Sequence, residues 1–141
     1  MDFFATCAEI TGRPLPATAA EDSVSFLPVL EGRKDGPRRE SLVHHSINGS
    51  FAIRQGRWKL SVCSGSGGWS DPKPGSAQAK SLPPVQLYDF SQDPEEKHNL
   101  AAEHSETVTT LTGALEKIIS GGRSTPGAPQ QNDVPVTMRK E

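Results

Sequence analysis

Four histidines, two cysteines and a scatter of serines and carboxylates are the side chains of this sequence that could do chemistry. His44 and His45 are adjacent and are followed by Ser46, which on paper sets a base beside a hydroxyl nucleophile. The serine lacks the glycine-flanked elbow of such hydrolases, and no orienting carboxylate is fixed by the spacing. Neither Cys7 nor Cys63 has a histidine or second cysteine at metal-ligand spacing, which argues against a zinc site or a thiol nucleophile. Gly65-Ser66-Gly67-Gly68 lacks the Lys-Ser/Thr and the following helix of a nucleotide-binding loop. Asp71, Asp89, Asp93, Glu95 and Glu96 do not follow calcium-loop spacing. The residues therefore predict no catalytic group and no metal site of their own.

Three residues keep a binding role. His44 and His45 are neighbours on what reads as a strand, so they point to opposite faces and cannot both serve one small site by that geometry alone. One of them is expected in or at the edge of the core, hydrogen-bonded and inert; the other can face a cleft. Trp69 sits in the Ser/Gly/Pro-rich segment 64–75, where an indole either stacks on a ligand or folds back as an anchor for the loop. His98 and His104 lie in polar, loop-like or helix-start surroundings and read as surface residues.

The elements that must position these residues are legible from periodicity. Runs at 41–45, 50–54, 57–62 and 85–90 are rich in β-branched and aromatic types and are bounded by Gly, Asn or Pro, which predicts strands. Trp58, Leu60 and Val62 alternate with Arg57, Lys59 and Ser61, so one face should be buried and the other wet. Gln55-Gly56 predicts a two-residue hairpin turn between Arg54 and Arg57. Segment 64–75 should be a mobile surface loop, and Asp93-Pro94 should start a turn. Ser105 is placed to cap a helix over 106–120, whose face of Val108, Leu111, Leu115, Ile118 and Ile119 has its natural home on the apolar side of the sheet; Gly121-Gly122 ends it. Near the start, Asp2 is placed to cap a short helix with Phe4, Cys7 and Ala8 on one face and Phe3 and Ile10 beside them; a helix so short and apolar needs a partner. One further helical turn, with Phe26, Leu27 and Leu30 on one side, is expected before Gly32. The fold class is α+β: a small four-stranded antiparallel sheet with a C-terminal amphipathic helix packed on one face, plus a short N-terminal helix and long loops. The organisation read from these signals is a terminal helix and connector over 1–36, a subdomain over 37–122 and an extended tail over 123–141.

Composition agrees with one modest domain. The chain has 141 residues, and 33% hydrophobic content with 13 Gly and 12 Pro implies a small core and long connections. A net charge of -2 with no block of one sign favours neither a nucleic-acid surface nor a membrane anchor, and the cluster Arg33, Lys34, Arg38 and Arg39 reads as a solvated loop. No apolar run approaches the roughly 20 residues of a membrane span, and the first residues do not form a signal peptide. The two cysteines allow one pairing, Cys7 with Cys63, but a helix face and a strand end are both places where buried free thiols occur.

Taken in order, several stretches carry a resemblance. Asp2-Phe3-Phe4-Ala5-Thr6 through Gly12-Arg13-Pro14-Leu15-Pro16, Asp22 to Gly32, Phe51 to Leu60, Gln86-Leu87-Tyr88-Asp89, Asp93 to Glu96 with Asn99-Leu100, and Arg123-Ser124-Thr125-Pro126-Gly127 together resemble the carboxy-terminal region of bacterial arylsulfatase-like sulfatases, which are similar to alkaline phosphatases in fold. The resemblance implies a sulfuric ester hydrolase whose catalytic domain lies upstream in the same polypeptide and holds a formylglycine, matured from Cys/Ser-X-Pro-Ser/Ala-Arg, and calcium. Cys7 is followed by Ala8-Glu9-Ile10 and Cys63 by Ser64-Gly65-Ser66, so neither matches that motif, and no cofactor is expected in this chain. The implied role is a subdomain that docks on the catalytic domain, adds stability and shapes the substrate cleft, with His44, His45 and Trp69 reaching a sulfated sugar or aryl sulfate. The resemblance places the first helix at the end of the catalytic domain, implies a periplasmic or extracellular location, and leaves the chain alone inactive. Self-association through that helix would follow if its apolar face lacked its partner. The competing reading is an independent, non-catalytic binding module.

Overall fold

The computed structural model describes residues 2–139. The described chain divides into two units, Met1–Glu40 with Ile118–Val134, and Ser41–Lys117 with Pro135–Glu141.

The second unit is built on four antiparallel strands, β1 (Ser41–His45), β2 (Phe51–Gln55), β3 (Trp58–Ser61) and β4 (Gln86–Asp89), in the order β1-β2-β3-β4. Each strand neighbours the next in sequence, so the sheet is a meander that needs no crossover. The expected strands are all present, with ends shifted by a residue at most places. The β2–β3 turn is also one residue later than expected: Gln55 pairs with Trp58, leaving Gly56 and Arg57 as the turn. Gly56 leads that turn at φ 57°, a conformation open to glycine without a Cβ penalty.

Register sorts the side chains onto two faces. Val43, Ile53, Leu60 and Leu87 form one row, with Trp58 on the same face one step along, and Ile53, Leu60 and Leu87 are fully buried. Helix α4 (Ser105–Gly121) serves this face through its first turns: Leu111 and Leu115 are buried, the Trp58 and His104 rings lie 5.0 Å apart, and Trp58, Gln55, Thr107 and Leu111 line one cavity. Burying side chains of this size stabilises by roughly 1.5–3 kcal/mol each, which makes this layer the main source of stability in the unit. Ser105 lies inside the helix rather than capping it, since the Val108 N–H already donates to the His104 carbonyl.

The expectation that the second sheet face is simply wet is corrected. Ala52 is buried, and Lys59 and Ser61 are half-buried, because the 63–75 loop and the turn after β4 fold over that side. The loop also holds an element that periodicity did not suggest. A single helical turn, α3 (Ala77–Lys80), is capped by the Ser76 hydroxyl accepting from the Ala79 N–H and has Ala79 buried. Four residues are too few to show a helical repeat in sequence.

The first unit contains α1 (Phe3–Ile10) and α2 (Leu27–Leu30). Asp2 does not cap α1 with its side chain; its carboxylate instead accepts from the Val24 N–H and from Arg39. Burial pulls that carboxyl upward, but the two hydrogen bonds and the guanidinium charge outweigh it and hold the group below its ordinary value. Ala5 and Thr6 are the buried face of α1, whereas Phe4, Cys7 and Ile10 are exposed; on α2, Pro28 is buried and Leu30 exposed. Both faces are thus rotated from the expected ones. The tail is tied to this unit: the Ser124 N–H donates to the Asp22 carboxylate at 2.8 Å, and the Thr125 hydroxyl and N–H both donate to the Glu21 carbonyl.

Candidate functional site

On the sheet face away from α4, register aligns His44, Ala52, Ser61 and Gln86 in one row, beside a row holding Lys59 and Tyr88. These rows floor a cleft of about 500 Å³, whose walls come from the 63–72 loop and from Glu96 in the turn after β4. Mixed apolar and polar lining of this size is what small-molecule sites share.

The walls are held by side chains committed to the backbone. Gln86 donates its amide to the carbonyls of Cys63 (3.0 Å) and Gly65 (2.8 Å) and accepts from the Tyr88 hydroxyl (2.6 Å). Ser66 accepts from the N–H groups of Gly68 and Ser70, and Lys73 donates to the Trp69 carbonyl at 2.9 Å. The loop, expected to be a mobile surface segment, is cross-braced by these bonds. Across the cleft, Lys59 Nζ donates to Glu96 Oε1 at 2.6 Å, and both side chains are largely shielded. Glu96 stands at φ 58°, an uncommon conformation for a residue with a side chain, and the Asp93 carboxylate fixes the turn by accepting from the Lys97 and His98 N–H groups.

The electrostatics of the cleft follow. Partial burial against the cleft and the Lys59 charge push the His44 imidazole below its ordinary value, with Glu96 opposing, so the neutral form is favoured. Burial raises the Tyr88 phenol, and the nearby Glu96 and Asp93 charges add to this. Burial likewise raises the Cys63 thiol, which keeps it protonated and unreactive. Both cysteines are free; Cys7 is exposed, not buried as its place on a helix face suggested. Among the described residues, no group of three His, Cys, Asp or Glu side chains is placed to hold a metal ion.

The three binding residues of the sequence reading part company. His44 faces the cleft. His45 is on the opposite side by alternation, its ring edge-on to Phe51 at 4.1 Å, although its flank reaches the cleft rim. Neither histidine is in the core; both are exposed, because β1 is an edge strand with only one neighbour. Trp69 does not fold back, since its side chain is 77% exposed, and it does not line the cleft. His98 is exposed beside Asp93, and exposed His104 touches Trp58. Lys59, Gln86, Tyr88 and Glu96 were missed. Lys59 read as a solvent residue of an alternating strand, and nothing local signals a partner 37 residues away.

No protein-family model matches the chain. It is 37% identical over 121 residues to an N-acetylgalactosamine-6-O-sulfatase of Bacteroides thetaiotaomicron, covering 84% of this chain and 22% of that protein. It is 28% identical over 127 residues to arylsulfatase A of Bos taurus, again over 84% of this chain and 25% of the relative. Among solved structures, one from the metabolism of multiple glycosaminoglycans by Bacteroides thetaiotaomicron matches 83% of this chain and 24% of its own at 36% identity and TM-score 0.64. A 2-O GAG sulfatase shares the fold at 23% identity and TM-score 0.59, covering 84% of this chain and 24% of its own. The chain thus spans about a quarter of the length of the curated relatives it matches. Over most of its length, the chain is similar to the carboxy-terminal part of sulfatases.

Proposed function

We propose that this chain serves as the carboxy-terminal subdomain of a sulfuric ester hydrolase and contributes stability and one wall of the substrate cleft. The observation that carries this reading is the braced polar cleft on the sheet face opposite α4, within a chain that matches sulfatases over 84% of its length. The formylglycine nucleophile and the calcium that polarises the sulfate belong, on this reading, to a catalytic domain of the same polypeptide; neither cysteine here lies in the required motif. His44 is the cleft residue best placed to meet substrate; His45 at the rim and Trp69 on its exposed loop are the outer contacts. The substrate is a sulfated sugar or aryl sulfate, and the name of the bacterial relative makes N-acetylgalactosamine 6-sulfate the first to try. Phe3, Phe4 and Ile10, all more than half exposed, are the face offered to the catalytic domain, or to a second copy when the chain is alone, which sedimentation of the chain tests. Among the described residues, no helix is long and apolar enough to cross a membrane, and the reading places the protein in the periplasm or outside the cell.

The deciding experiment joins the chain to the reading frame upstream of it. Hydrolysis of an aryl sulfate or of the sulfated sugar by the joined protein, with none by the 141-residue chain plus calcium, is the expected result. Turnover by the chain alone would contradict the proposal.

A further inference from the structure

The Lys59–Glu96 pair is the feature of the cleft that the reading above leaves unused. A strained backbone and a two-point Asp93 brace are spent on aiming one carboxylate at one ammonium. The result is a cleft floor without surplus positive charge. Lys59 is neutralised, Gln86 and Tyr88 are neutral and bonded to each other, and Ser61 and His44 supply neutral donors and acceptors. Lys59 keeps two further N–H donors and Glu96 keeps a second oxygen. Alternating donors and acceptors of this kind match vicinal hydroxyls, each of which both donates and accepts. An anion entering the same space would lose its hydration and meet the Glu96 carboxylate, with Asp71 in the wall adding a second negative charge and no unpaired cation to compensate.

We infer that this cleft takes the uncharged, hydroxyl-bearing edge of a sugar and that Glu96 excludes a sulfate group from it. Glu96 is thus a specificity-determining residue. The inference rests on the proposed sulfatase reading and sharpens it, because the sulfate that is cleaved must then point away from this face.

The test is an amide chemical-shift titration of the full chain with neutral N-acetylgalactosamine and, separately, with sodium sulfate at matched ionic strength. Neutral sugar should shift the amides of His44, Lys59 and Tyr88, and sulfate should not. In Glu96→Gln, Lys59 is released, and sulfate affinity for the same amides should rise by about tenfold or more, as removal of a facing like charge predicts. Lys59→Met in the Glu96→Gln background should abolish that gain, and the dispersion of each spectrum shows that the variant is folded. Sulfate binding to the wild-type cleft as tightly as in Glu96→Gln would overturn the inference while leaving the sulfatase reading standing. If neither probe shifts the cleft in any variant, the inference falls, and so does the assignment of this cleft to substrate, whatever the joined protein hydrolyses.

Discussion

The Asn99 side chain accepts the Leu87 N–H at 3.0 Å and donates to the Val85 carbonyl at 3.1 Å, so one amide serves the free edge of β4 much as a paired strand would. The Leu100 N–H then donates to the Leu87 carbonyl at 2.8 Å and extends the mimicry by one bond. Sheet edges are exposed to unwanted pairing, and here a short strap closes one. Replacing Asn99 with Leu leaves the Leu87 N–H without its acceptor beside a fully buried side chain. The expected cost is about 1–3 kcal/mol, read from urea unfolding, with faster hydrogen exchange at Leu87 as the local signature.

The helix-facing row predicts larger losses. Leu60 and Leu115 are both fully buried, one on a central strand and one on α4. Truncation to alanine should cost about 2–5 kcal/mol at either site. Losses below 1 kcal/mol would show that this layer is not the core.

His44 makes a prediction with a definite sign. Its folded-state value lies below the ordinary 6.5, mainly through burial and secondarily through Lys59. The unfolded chain then binds the proton more readily, so stability is complete above that ordinary value and declines as pH falls through it toward the folded-state value. A histidine C2-proton titration should place His44 below the value of a free histidine, and His44→Gln should flatten the acid limb of the stability curve. An upward-shifted His44 would contradict the assignment.

Gly67 tests the braced loop. At φ 66° it accommodates a left-handed turn, and a Cβ there would lie 2.6 Å from the Ser46 Cβ. Gly67→Ala should cost about 1–3 kcal/mol from backbone strain and clash, and should loosen the Asn48 N–H that donates to the Gly67 carbonyl. An unchanged midpoint and unchanged Asn48 exchange would mean that the loop is as mobile as its composition suggests.

What could be foreseen in the sequence divides along physical lines. The four strands and α4 were legible because their burial repeats every two residues or along one helix face, as in Leu60 with Val62 and Leu111 with Leu115. The Glu96–Lys59 pair and the Gln86 brackets were not. They join residues far apart in sequence, and a polar side chain carries no periodic mark of the backbone atom it will meet. Asp2 shows the same limit, since its cap position is visible but the competing N–H of Val24, 22 residues away, is not. The faces of α1 and α2 failed because eight and four residues give too little period to locate a buried stripe.

The bonds from Ser124 and Thr125 to Asp22 and Glu21 carry a consequence for synthesis. Residues 41–117, with the whole sheet, are made between the two halves of the unit that these bonds close. A chain emerging from the ribosome can complete its meander while the first forty residues still wait for the tail that ties them. Stalled or truncated translation short of Ser124 should therefore yield a formed sheet with an untied, protease-sensitive leading segment.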